Sequence, residues 1–188
     1  ICHNAKQHIA NKIDYKIENI GTTINSPYPD YVPLISADES VLIFTSRREG
    51  STGGLQNIAG NKDTLEGKYF EDIYISTKIV DRWTKQVGIG SNINTAGHDA
   101  TVGLSPDGQK LFIYRSDGVK SGNIYSCKLE GDAWGEPKIL DNAISTKYWE
   151  GSASISADER TLYFSSERPG GYGGRDIYMI KKFPNGQW

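Results

Sequence analysis

The chain has 188 residues with 21 basic and 23 acidic side chains, a net charge of −2, so it carries no positive field suited to nucleic acid or anionic lipid. Its 37% hydrophobic and 11% aromatic content argues for a packed core rather than disorder. No run approaches the ~18 apolar residues of a membrane-crossing helix, and the first residues lack the charged and apolar regions of a secretory leader, so no direct membrane insertion is expected.

In chain order, "ICHNAKQHIANKI" (1–13) mixes Ala, Lys and Gln with spaced apolar residues and reads as the end of a helix. Cys2 lies in it and Cys127 far beyond it; this spacing fits no zinc or CxxC pattern and leaves a disulfide or free thiols open. Lys16 to Ile20 then reads as a lone outer strand. After it, one phrase occurs three times. "ISADESVLIFTSRR" (35–48), "LSPDGQKLFIYRSD" (104–117) and "ISADERTLYFSSER" (155–168) superpose without a gap on Asp38, Asp107 and Asp158. Upstream, Ile24-Asn25, Ile93-Asn94 and Ile144-Ser145 keep one offset from their aspartates. Downstream come Asp72-Ile73-Tyr74, Asn123-Ile124-Tyr125 and Asp176-Ile177-Tyr178, then Trp83, Trp134 and Trp188.

The aspartates stand 69 and 51 residues apart, and an insertion at 49–71 accounts for most of the difference. A period near 50 with several short β-rich runs indicates an all-β propeller of four-stranded blades rather than a helical solenoid. In the second copy, Ala100 to Ser105 reads as the innermost strand, Lys110 to Arg115 as the second and Asn123 to Lys128 as the third. Gln86 to Ile89 reads as the outermost strand of the preceding blade. Pro106 presets φ in the intervening turn, Asp107 bonds the backbone and Gly108 accepts a positive φ; the Ala and Glu of the other copies specify that turn less strongly.

These residues resemble the PD-repeat, TolB-like family of β-propellers. The resemblance rests on "INSPYPDYVPLISADESVLIFTSRR", "INTAGHDATVGLSPDGQKLF", "LYFSSERPGGYGGRDIY" and the closing tryptophans, and covers residues 15–188. The "GGxGGxDIY" variant is similar to propellers set between a TPR region and an OmpA-like domain in envelope proteins, including one associated with type IX secretion. The resemblance implies about six blades, so three visible ones are expected to be half of a ring, from a fragment or completed by a second copy. It also implies residues 1–13 as the end of a preceding TPR-like region and 14–188 as a partial propeller, with repeats at about 15–83, 84–134 and 135–188. A periplasmic or outer-membrane-associated location, protein partners in an envelope complex, and a peptidoglycan link through a domain outside this chain are implied by the same resemblance.

Motifs for catalysis are missing: there is no G-x-S-x-G, H-E-x-x-H or Walker loop, and His3, His8 and His98 are scattered. No enzyme activity, cofactor or metal is expected. Asn61, Asp63, Glu66 and Asp72 are oxygen-rich, but Gly67 falls one position late for an EF-hand loop. Asp30, Asp99 and Glu150 place an acid at one register in each copy, near the start of the innermost strand, suited to capping local amides or to contacting a cation or partner. The loops that share a face with them carry Tyr28, Tyr31, His98, Tyr148, Trp149 and Tyr172 together with Arg47, Arg48, Arg168 and Arg175. Aromatics and arginines are enriched at interface hot spots, so this face is the expected partner-binding surface. A glycan-binding module stacking sugars on Tyr148 and Trp149, or the gate of a hydrolase whose catalytic domain is absent, are the alternatives.

Overall fold

The computed structural model describes residues 2–11, 16–54, 67–116 and 122–188. A short helix, α1 (Cys2–Ala10), comes first. Residues 16–20 are coil rather than the expected outer strand. An outer strand needs a neighbouring edge to take up its amides, and no strand among the described residues pairs with this segment.

Among the remaining described residues the strands form three antiparallel sheets. The first holds β1 (Asp30–Ile35), β2 (Val41–Ser46) and β3 (Asp72–Ile79), with β4 (Arg82–Trp83) and β5 (Val87–Gly88) both paired to β3. The second repeats this with β6 (His98–Leu104), β7 (Lys110–Ser116), β8 (Asn123–Glu130), β9 (Ala133–Trp134) and β10 (Lys138–Ile139). The third has β11 (Glu150–Ile155), β12 (Thr161–Ser166) and β13 (Asp176–Lys181). The strands expected of the second copy are all there, and the fourth strand of each full sheet is broken in two. Thr84 marks the break, donating its amide to Thr77 O at 2.8 Å while its carbonyl accepts from Ser76 Oγ at 2.7 Å. Each innermost strand also carries a bulge, at Val32, Val102 and Gly151, which raises local twist and bends the strand.

The three turns after the innermost strands are built alike. Asp38, Asp107 and Asp158 each accept the hydroxyl of the serine two residues back, at 2.5–2.6 Å, and the amide two residues on, at 3.0–3.1 Å. The residue after each aspartate has φ of +57° in Glu39, +71° in Gly108 and +54° in Glu159. The Asp–Ser bonds therefore hold a left-handed residue even where glutamate occupies it, at a steric cost that glycine escapes.

The core lies between the sheets. Ile43 and Ile73 of the first sheet meet Leu111, Ile113 and Cys127 of the second, with Ile93 and Trp134 closing the layer. Phe112 and Ile124 meet Leu162 and Phe164 across the next junction, with Leu140 and Ile144. Cys127 is a free, buried thiol, and burial pushes its pKa up to about 12. The junctions are also stitched by backbone groups. Asn94 exchanges two bonds with Ile73 of the sheet before it, accepting its amide at 2.9 Å and donating to its carbonyl at 3.0 Å. Ser145 Oγ donates to Ile124 O at 3.0 Å in the equivalent place. The third sheet's outer face is uncovered: Ile73 and Ile124 are 0% exposed, whereas Ile177 at the same register is 80% exposed, with Tyr163 and Met179 beside it.

Candidate partner-binding face

The loops before β1, β6 and β11 lie at the end of the sheets where β2, β7 and β12 finish. The repeated acids lie just beneath them and are fully engaged. Asp99 Oδ2 accepts the Thr95 amide at 2.6 Å and the Thr95 hydroxyl at 2.7 Å, and Oδ1 accepts Arg115 Nε at 2.7 Å. Asp30 holds Ser26 and Arg48, and Glu150 holds Thr146 and Arg168, in the same manner. Each arginine then donates to the carbonyl of the repeated isoleucine: Ile24, Ile93 or Ile144. Asp99 and Glu150 are 0% exposed and Arg48 only 4%. Asp30, Arg48, Asp99, Glu150 and Arg168 thus form latches in the wall below these loops, and the amide-capping role is the one the geometry displays. Arg115, unlike Arg48 and Arg168, comes from within its strand, directly opposite Asp99; the repeat keeps the ion pair while moving the arginine by two positions.

Above the latches, two clusters differ. At the first junction Glu71 is a hub: Tyr31 Oη donates to Oε1 at 2.8 Å, Arg47 Nη2 pairs with the same oxygen, and His98 Nδ1 meets Oε2. Burial pushes the Glu71 carboxyl up, but the bonds from His98, Arg47 and Tyr31 outweigh it and hold its pKa at about 2. Burial, with the bond to Glu71, raises the Tyr31 phenol to about 12. His98 stacks on Phe70 with centroids 4.1 Å apart. Beside the hub lies a cavity of about 660 Å³ lined by Tyr28, Pro29, Tyr31, Arg47, Lys68 and Tyr69, with Tyr28 and Tyr69 edge to face at 5.6 Å.

At the second junction Trp149 lies across Gly151, where no Cβ would fit. Arg175 covers its face at 3.9 Å and bonds Glu167 at 2.9 Å. Tyr114 is tilted against the indole at 6.3 Å. The two clusters reverse charge at matched positions, because Arg47–Glu71 in the first sheet becomes Glu167–Arg175 in the third. Tyr148 anchors its loop by donating its amide to Thr146 Oγ1 at 3.1 Å, and Tyr172 is fully exposed. Sequence reasoning missed Glu71, Phe70, Lys68 and Tyr69, all inside the insertion. A signal was available, since Glu71 immediately precedes the repeated Asp-Ile-Tyr and shares its register with Gly122 and Arg175. Asn61, Asp63 and Glu66, the calcium candidates, lie outside the described residues, while Asp72 is buried against Thr52.

Among solved structures, TolB from Acinetobacter baumannii is similar to the chain at 18% identity and a TM-score of 0.51, over 79% of this chain and 29% of that one. The fold is a TolB-like β-propeller. The chain spans under a third of the TolB chain it matches. A periplasmic gluconolactonase from Pseudomonas aeruginosa is also similar, at 16% identity and a TM-score of 0.47, over 81% of this chain and 39% of that one. No protein-family profile matches, and no curated protein does. In the propeller, the three sheets are blades, and the face bearing Glu71 and Trp149 is the one where the innermost strands begin.

Proposed function

We propose that the chain is part of a non-catalytic propeller scaffold that docks protein partners through this loop face in the bacterial cell envelope. One observation carries the reading. The repeated acids beneath the face are each committed to an arginine and to local amides, while Trp149, Arg175, Tyr172, Tyr148 and Tyr28 stand at its rim. Desolvated aromatic and arginine side chains contribute most to protein interfaces, and rim charges tune encounter. The envelope location, the link to peptidoglycan and a place in a secretion or motility complex rest on the sequence resemblance alone.

The test is capture of partners from envelope extracts by the chain and by its Trp149→Ala/Tyr172→Ala variant. Loss of an aromatic anchor costs about 2 kcal/mol or more at an interface, so capture falls at least tenfold while the fold persists. Undiminished capture by a folded variant sinks the proposal. A glycan reading is favoured by the cavity at Tyr28, Tyr31 and Tyr69 rather than by Trp149, whose face Arg175 already occupies. Sugar-dependent shifts at those tyrosines, unaffected by the Trp149 change, distinguish it.

A further inference from the structure

The two blade junctions are closed differently on the opposite face, where the aspartate turns lie. At the second junction Lys110 of the middle blade bonds Glu159 of the third blade's turn, bridging the gap. The repeat puts Val41 and Gly108 at the equivalent positions of the first junction, and neither can form such a bridge. A cleft of about 670 Å³ opens there. Its floor is apolar, formed by Ile43, Ile75, Leu104, Leu129 and Trp134. Asp38, Asp107 and Asp132 stand in its lining, which among the described residues includes no lysine, arginine or histidine.

We propose that this cleft is a second docking site, on the face away from Trp149, for a protein segment that presents an apolar side chain flanked by lysine or arginine. The floor supplies apolar surface from which water is released, and the aspartates supply a one-signed rim that selects basic flanks. The same fold closes its other junction with a lysine and a glutamate, and at this one those positions hold valine and glycine, leaving open an apolar space of the size typical of ligand pockets.

The probes are two capped peptides, acetyl-Arg-Leu-Leu-Arg-amide and acetyl-Glu-Leu-Leu-Glu-amide, titrated into the 188-residue chain and followed by NMR at the Trp134 indole and the Gly108 and Gly131 amides. The basic peptide shifts these signals and the acidic one binds at least tenfold more weakly. The Val41→Lys/Gly108→Glu variant installs the other junction's bridge and abolishes the shifts. Asp132→Lys, on the exposed β8–β9 hairpin, weakens the basic peptide at least fivefold and serves should the double variant fail to fold. Equal binding of both peptides, or binding that survives a folded bridge variant and Asp132→Lys, overturns the proposal. Trp149→Ala leaves these shifts intact, so this site and the loop-face site stand or fall separately.

Discussion

Asp99→Ala removes the centre of a latch. The change leaves the Thr95 amide, the Thr95 hydroxyl and Arg115 Nε without the acceptor they hold at 2.6–2.7 Å, at a position with no solvent exposure. Deleting one partner of a buried ion pair costs about 3–5 kcal/mol. Arg115 keeps its bond to Ile93 O and some access to water, which favours the lower figure. At about 2–4 °C per kcal/mol for a chain of this size, a loss near 3 kcal/mol lowers Tm by about 6–12 °C. Thermal unfolding followed by circular dichroism reads it, with Asp107→Ala as the control: it deletes the same charge from an exposed turn and produces a smaller drop. An Asp99→Ala protein melting within about 2 °C of the parent, and losing partner capture, would refute the latch and return the acid to the binding surface.

Asp72→Asn should stabilise. Burial, with Asp99 nearby, pushes the Asp72 carboxyl up, its Oδ1 has no hydrogen-bond partner among the described residues, and at the same register Asn123 with its amide nitrogen turned inward donates to Glu150 at 3.1 Å. A carboxyl raised in the folded state loses stability as pH climbs from its ordinary value of 3.8 through the folded one. The variant's Tm advantage therefore grows across that range, and an advantage independent of pH would contradict the account. Glu39→Gly relieves a left-handed glutamate and should stabilise by about 0.5–1 kcal/mol in chemical denaturation, the strain relieved exceeding glycine's entropy cost; a loss of stability would mean that the turn is not strained. The uncovered face of the third blade should drive self-association in sedimentation, and Ile177→Ser with Met179→Ser should reduce it; a parent chain that sediments as a compact monomer would count against this.

The blades were legible because their signal is redundant. Ile73, Ile124 and Ile177 hold one register, as do the turn aspartates, so three noisy copies average into one clear pattern. The latch acids were visible at their positions, but their partners were not: Arg115 sits two places from the register of Arg48 and Arg168, and only strand pairing brings it opposite Asp99. The Glu71 hub was hidden for a different reason. It lies in the part of the chain that does not repeat, where no second copy separates a contact from filler. In the sequence Trp149 reads as one more loop aromatic, yet Gly151 beneath it and Arg175 above it show that the fold makes room for it. The Lys16–Ile20 strand failed because strand propensity depends on a neighbouring edge that the sequence does not display.

The stitches between blades have a direction. Asn94 holds the sheet before it, and the segment leading into each new blade first supplies the outer strand of the old one, β5 for the first sheet and β10 for the second. The unit that repeats in sequence is therefore displaced by one strand from the unit that packs. Cutting after Trp83 would remove β5 and Asn94 from the first blade, leaving Ile73's backbone bare, so no single repeat carries a finished blade. Duplication or loss of one repeat in the gene keeps every blade complete all the same, since each copy brings the edge its predecessor lacks; such a propeller can change its blade number by whole repeats without leaving a seam.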